Sequence, residues 1–521
     1  MRGAIAAGHP LTAEAGASVL RDGGNAVDAC IAAAFASWVA ESPLTGPGGG
    51  GFMAVHRGGD RSTRVLDFFV NVPGLGREEL GPLDPSAMES VDVDFTPESS
   101  QQFRIGAASC AVPGVVAGLA TAHSAYATRP WADLMAPAVQ LAREGVVVTR
   151  SQAYLHAILD VVLRHTDEGR AIYEKEGERL AAGDRLRIPD LAETMELLAG
   201  GPGVFYEGDL ADAIVDSVEG RITARDLAEY RVIRRRPVRA GFLGHELDSN
   251  PPPSTGGVLI AYGLRLLDEL GGVGATAGSV AALERLIGIM REQARVRGGR
   301  FAQELHRGGL ARRLLDPVMV SAAAARVRAG APGAFEPAPA RGTTHISVVD
   351  AEDNAASLTA TTGSGSGVIV RGTGIHLNNM LGEFDLSAMA GLMRPGWRMT
   401  SMMAPTIVLR GGRARLVVGS AGSLRLRGAI MQIVINTVGH RLPIEEAIDC
   451  PRIHVEGDEV HCEGGFDARE LDALEARGYD LVRWRRRNLY FGGAAAVEVY
   501  DDGTLSAAGD GRRGGTGIVV S

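Results

Sequence analysis

Gly342-Thr343-Thr344-His345-Ile346-Ser347-Val348-Val349-Asp350 decides how this chain is read. Residues 343–349 alternate like a strand, 350–354 form a turn-type loop, and 355–361 alternate again, so a hairpin is expected. Residues 329–341 (AGAPGAFEPAPAR), rich in Pro, Gly and Ala, read as an exposed, poorly structured connector. A threonine that becomes N-terminal carries two useful groups. Its hydroxyl is a nucleophile, and its α-amine, with a pKa near ~8, can accept the hydroxyl proton. No separate histidine base is then required. Exposing that amine needs cleavage of the Gly342–Thr343 bond, and Thr343 itself can attack the Gly342 carbonyl. Glycine leaves room for the approaching hydroxyl. Taken alone, Gly-Thr-Thr is also an ordinary start of a strand.

Working outward, the texture changes at Gly342. Upstream, residues 11–41 read as helices broken at Gly23-Gly24-Asn25, with Thr12 as N-cap. A hairpin is expected from 52–56 and 64–70 around GGDRS, and 101–198 reads as mostly helical. Residues 250–257 (NPPPSTGG) form a rigid turn into a long helical region reaching about 328. Downstream, strand pairs are expected at 404–409 with 414–418 and at 494–500 with 505–508, with a helix over 424–438. Helix-rich then hairpin-rich halves imply an α+β layered fold with antiparallel sheets inside. Two turns could carry chemistry. Gly419-Ser420-Ala421-Gly422-Ser423 lies between a strand and a helix, where unpaired N–H groups suit an oxyanion. The hydroxyls of Thr400-Ser401-Met402-Met403-Ala404-Pro405-Thr406 either bind a substrate carboxylate or amide or simply bond backbone.

Length and composition set the bounds. With 521 residues, the chain is long for a single core. Hydrophobic residues at 45% and charged residues at 22% are ordinary for a globular protein. The net charge of −9 and the lack of a basic run argue against nucleic acid. Cys30, Cys110, Cys450 and Cys462 make neither a disulfide framework nor a CxxC metal pair, and Cys30 reads as a buried thiol. No apolar run reaches membrane-spanning length. MRGAIAAGHP has no signal-peptide h-region, so a cytoplasmic protein is expected, or a periplasmic or secreted one if a leader was removed.

Together these segments resemble the γ-glutamyltransferase (glutathione hydrolase) family of N-terminal-nucleophile hydrolases over nearly the whole chain. The resemblance runs through His9-Pro10-Leu11, Gly23-Gly24-Asn25-Ala26-Val27-Asp28-Ala29, Gly48-Gly49-Gly50-Gly51-Phe52-Met53, Val112-Pro113-Gly114 and Pro251-Pro252-Pro253-Ser254. It continues through Thr343-Thr344-His345, Leu377-Asn378-Asn379, Ala404-Pro405-Thr406 and the GSAGS turn. It implies a four-layer αββα sandwich and a zymogen that cuts itself before Thr343. Its large (1–342) and small (343–521) subunits would stay associated as one intertwined domain. No cofactor or metal is implied. The roles it implies are Thr343 as nucleophile, Thr361 as its hydrogen-bonding partner in processing, and Gly422 and Ser423 as oxyanion donors. Ser401 would contact the substrate's α-carboxyl end, and Glu383 its α-amine.

Departures fall on the substrate handles. Phe69 stands where the family has arginine after Asp-Phe, Met402 replaces the second serine, Met380 replaces a Gln or Glu, and Gly363 replaces an asparagine. Removing the guanidinium takes away a bidentate carboxylate partner unless Arg425 substitutes. The expected activity is thus acyl transfer from a γ-glutamyl-type amide to water or an amine. The altered handles favour the alternatives, a C–C bond hydrolase acting on an amino-acid-derived intermediate of secondary metabolism or a hydrolase of another amide. The non-enzymatic alternative is an uncleaved scaffold.

Overall fold

The hairpin expected at 343–361 forms and lies at the centre of a seven-stranded sheet. The computed structural model describes residues 3–77, 85–96, 99–330, 342–383, 393–422 and 425–521. The connector at 331–341 lies outside them. Numbering only the strands of the two large sheets gives β1 (Gly3–Ala7), β2 (Gly50–Arg57), β3 (Ser62–Phe68), β4 (Ile233–Arg235), β5 (Val238–Phe242), β6 (His245–Ser249) and β7 (Gly342–Asp350). These are followed by β8 (Ala355–Gly363), β9 (Thr406–Arg410), β10 (Arg413–Ala421), β11 (Gly493–Val499), β12 (Leu505–Gly509) and β13 (Thr516–Val520). The first sheet runs β4-β3-β2-β8-β7-β1-β13 and the second β5-β6-β9-β10-β11-β12. Every pairing in them is antiparallel.

Period-two alternation sorts each strand between two cores. Ile5, Ile346 and Val348 face helices α1 (Pro10–Arg21) and α2 (Ala26–Ala40), packing with Leu20, Ile31 and Phe35. Ala4, Ala6 and Val349 face the other way and meet Val417 and Val497 of the second sheet. On that sheet's far side, Leu416 and Val418 pack against α3 (Gly256–Glu269) and α4 (Arg425–Val434). The result is helices, sheet, sheet, helices, as expected.

Three local expectations change. His9 caps α1, its Nδ1 accepting from Leu11 N at 3.1 Å, because Pro10 suits the first helical position. Thr12 lies inside the helix, where its hydroxyl bonds Glu41. Residues Ser99–Ile105 form a strand paired with Glu89–Thr96, and helix begins only at Val115–Tyr126. The helix expected over 424–438 is α4 followed by a π turn, Ile435–Gly439. Cys30 is buried and unpaired, and burial pushes its thiol pKa up. Among the described residues, no helix is long and apolar enough to cross a membrane.

Candidate active site

Thr343 sits one residue into β7, at an irregularity in the ladder. Gly342 pairs with Gly363, whereas Thr344 pairs with Ala360, so the register slips across Thr343. Its hydroxyl donates to the Gly342 carbonyl at 2.6 Å, and the Thr361 hydroxyl donates to the same oxygen at 2.6 Å. Thr361 Oγ1 in turn accepts from Gly363 N at 2.7 Å. The carbonyl preceding Thr343 is therefore polarised by two hydroxyls, one of which belongs to Thr343 itself. A Cβ on Gly342 would lie 2.6 Å from the Gly363 carbonyl oxygen, so no larger residue fits.

A small cleft of about 30 Å³ opens beside this bond. Phe69, Met380, Glu383, Ser401, Met402 and Leu426 line it together with Gly342, Thr343 and Thr361. The structure thus brings together eight residues singled out in the sequence from five separate segments. Phe69 follows β3 and stacks on Phe52 with ring centroids 5.5 Å apart. Its carbonyl accepts from Tyr230 Oη at 2.7 Å and from the buried Arg398. Met380 is held by Asn378, whose Oδ1 accepts from Met380 N at 3.2 Å and whose Nδ2 donates to Gly48 O and Ala111 O. Ser401 Oγ accepts from Met403 N at 3.0 Å, the backbone-bonding reading, and the residue lines the cleft. Glu383 is buried at the cleft wall. Gly363 is required by its surroundings. Its φ is +73°, and a Cβ would lie 2.2 Å from Asn379 Oδ1 and 2.6 Å from Glu383 Oε1.

Gly419, Ser420 and Ala421 of the GSAGS segment end strand β10. Ala421, the last residue of β10, borders a second cavity of about 10 Å³ that Thr343 also lines. Gly422 follows at φ +121°, a value that requires glycine. Ser423 lies outside the described residues. Arg425 does not line the cleft, and so does not take the place of the missing arginine. Its guanidinium lies 4.0 Å from the Tyr490 ring centroid and 3.9 Å from Glu456.

Sequence reasoning missed the opposite side of Thr343. Thr344, pointing to the helical layer, donates to Glu41 Oε2 at 2.6 Å, and Thr12 donates to Glu41 Oε1 at 2.8 Å. Burial pushes the Glu41 pKa up, opposed by these hydroxyls and by Arg513. Arg513, pulled down to about 10 by burial, donates to the Thr343 carbonyl at 3.3 Å. The available signal was a carboxylate closing an otherwise apolar helix. His345 is structural. Its ring nitrogens bond Thr359 Oγ1 at 2.8 Å and Ser347 Oγ at 3.0 Å, and burial holds its pKa at about 3.

Known proteins are similar to this chain from end to end. The family model described as Gamma-glutamyltranspeptidase matches residues 12–520. A glutathione hydrolase proenzyme of Escherichia coli is 31% identical over 542 residues, spanning 98% of this chain and 90% of that protein. An acylase ACY 1 proenzyme of a Pseudomonas species is 32% identical over 539 residues, spanning 100% and 94%. The crystal structure of cephalosporin acylase from Bacillus halodurans superposes with a TM-score of 0.84 at 25% identity, covering 99% of this chain and 95% of that one. With the αββα frame and the site assembled at Thr343, these matches establish that the chain belongs to the gamma-glutamyltranspeptidase family of hydrolases and transferases.

Proposed function

We propose that the chain is a self-processing amide hydrolase with an N-terminal threonine nucleophile. Its acyl pocket would suit a group less polar than γ-glutamyl. The observation that carries the reading is the Gly342 carbonyl, held by the hydroxyls of Thr343 and Thr361 at 2.6 Å each, beside a wall of Phe69, Met380, Met402 and Leu426. Attack of Thr343 Oγ1 on the Gly342 carbonyl carbon gives an ester, with Thr361 donating to the developing oxyanion. Water then releases residues 1–342 and leaves 343–521 with a free α-amine. In turnover that amine takes the hydroxyl proton, Thr343 attacks the substrate carbonyl, and Gly422 and Ser423 supply oxyanion donors. Water or an amine resolves the acyl-enzyme.

Glutathione hydrolase and acylase proenzymes are similar to the chain to nearly the same degree, and the apolar part of the wall supports the acylase-like reading. Phenyl and thioether groups offer a glutamyl carboxylate no ionic partner. The γ-glutamyl reading keeps Glu383 and Ser401 in its favour, because both line the cleft. A C–C bond hydrolase would use the same wall, and no observation favours it over an amide.

The test has two parts. Purified wild type should show two bands on a denaturing gel, the smaller beginning at Thr343, and Thr343→Ala a single uncut chain without activity. Two bands in that variant would overturn the nucleophile. Aliphatic acyl p-nitroanilides should then be cleaved at least about tenfold faster than γ-glutamyl-p-nitroanilide, reflecting one lost bidentate contact. Efficient γ-glutamyl turnover would overturn the acyl preference.

A further inference from the structure

A second, larger groove of about 700 Å³ is lined in part by Gly396, Trp397 and Arg398, which belong to the strap of residues 396–402 that also supplies Ser401 and Met402 to the cleft. Its lining includes Arg235, Arg307, Arg312 and Arg398, with His306 and Trp397, and no carboxylate lines it among the described residues. Asp67 lies behind, fully buried, and engages Arg235 at 2.7 Å and Arg398 at 3.3 Å. That leaves the exposed Arg307 and Arg312 as cations facing solvent. Trp397 is 40% exposed, and its ring meets His306 at 5.7 Å. Its backbone is fixed, because Trp397 O accepts from Val72 N and Gly396 N donates to Val72 O, each at 2.8 Å. The Arg394 guanidinium also lies 5.8 Å from the ring centroid, adding a cation beside the indole.

The strap links groove and cleft. Trp397 and Arg398 line the groove, and Ser401 and Met402 line the cleft. Three residues of chain span at most ~11 Å. Arg398 also bonds the carbonyl of Phe69, whose ring lines the cleft. A substrate held at Thr343 and long enough to pass Ser401 would need only the length of a short peptide to reach Trp397 and Arg398. The whole chain carries −9, so a long polyanion would be repelled outside the groove while a short one is held in it. A volume of this size suits one small molecule.

From this juxtaposition we infer that the groove is a subsite for a small polycarboxylate, the carboxylate-bearing far end of the substrate. Its substrate role rests on the hydrolase reading above; its ability to bind carboxylates does not. Carboxylates pair with Arg307 and Arg312, and a planar or apolar portion lies on Trp397.

Tri-L-glutamate, tri-L-glutamine and tripolyphosphate are titrated into the purified protein by calorimetry, with quenching of Trp397 fluorescence as the second signal. Triglutamate should bind saturably and triglutamine should not. The Arg307→Glu/Arg312→Glu variant should bind triglutamate at least about tenfold more weakly, and added salt should weaken the wild type too. Equal binding of triglutamate and triglutamine, an unaffected double variant, or preference for tripolyphosphate would overturn the assignment. Triglutamate should also inhibit hydrolysis of the best p-nitroanilide in the wild type and not in the double variant. Binding without inhibition would overturn the subsite role. Binding in a protein that hydrolyses nothing would instead sink the hydrolase reading and leave the groove standing.

Discussion

Thr361 offers the sharpest single-residue test of the proposed cleavage, because its hydroxyl has two partners and only one is the Gly342 carbonyl. Thr361→Val keeps the shape and removes the donor to Gly342 O, so self-cleavage should slow roughly 10²–10³-fold, the cost of one oxyanion donor. A time course on denaturing gels reads this directly, and cleavage at the wild-type rate would exclude the role. Gly363 makes the opposite point. Restoring the family's asparagine by Gly363→Asn should destabilise the fold by roughly 1–3 kcal/mol, since a Cβ meets Asn379 and Glu383 and the positive φ adds strain. A thermal melt checks it. What was legible at this scale was the side of Thr343 that its own motif describes. Thr343, Thr361, Ser401 and Glu383 meet at one cleft as their positions suggested. Glu41, Thr344 and Arg513 were not legible as a group. They lie at the end of a helix, in a strand and near the end of the chain, and only folding joins them.

At the scale of elements, β7 separates two environments. Ile346 and Val348 enter the helix-side core, while His345 and Ser347 lie between the sheets. A histidine there must stay neutral. The His345 pKa is about 3 in the fold against an ordinary 6.5, and His9, His156 and His376 are each lowered to about 4 by the same burial. Below 6.5 the unfolded chain binds protons that the folded chain does not. Their contribution to stability is therefore whole above 6.5 and is lost as the pH falls towards the folded values. Each ring alone contributes a slope of up to about 1.4 kcal/mol per pH unit in that window. Thermal unfolding should move to lower temperature from about pH 7 to about pH 5, and His345→Gln should make the dependence shallower. The hairpins of this region were legible because apolar residues alternate and Asp or Gly marks each turn. Ser99–Ile105 was not, because Ser-Ser-Gln-Gln carries no apolar alternation and owes its pairing to Glu89–Thr96.

Across the whole molecule, strands before and after Gly342 interleave. β7 and β8 lie between β1 and β2 in the first sheet, and β9 lies beside β6 in the second. Cutting at Gly342–Thr343 would break one covalent bond and no ladder between these strands. Residues 1–342 and 343–521 should therefore co-elute on size-exclusion chromatography and separate only in denaturant; two native peaks would contradict the shared sheets. The αββα frame was legible from texture and motif order, whereas the groove at Arg307 and Arg312 was not, since its other walls, Arg235, Pro252 and Trp397, come from distant segments. One pairing opens a further route. β1 and β13 run antiparallel with Gly3 opposite Val520 and Ala7 opposite Thr516. A tight linker from the end of β13 to the start of β1 would make them an ordinary hairpin, freeing the chain to be opened elsewhere. A circularly permuted gene opening on Thr343 and closing on Gly342 would present the nucleophile as soon as its initiator methionine is trimmed. Maturation and catalysis would then be genetically separable, and residues needed only for the cut could be told apart from those needed for turnover.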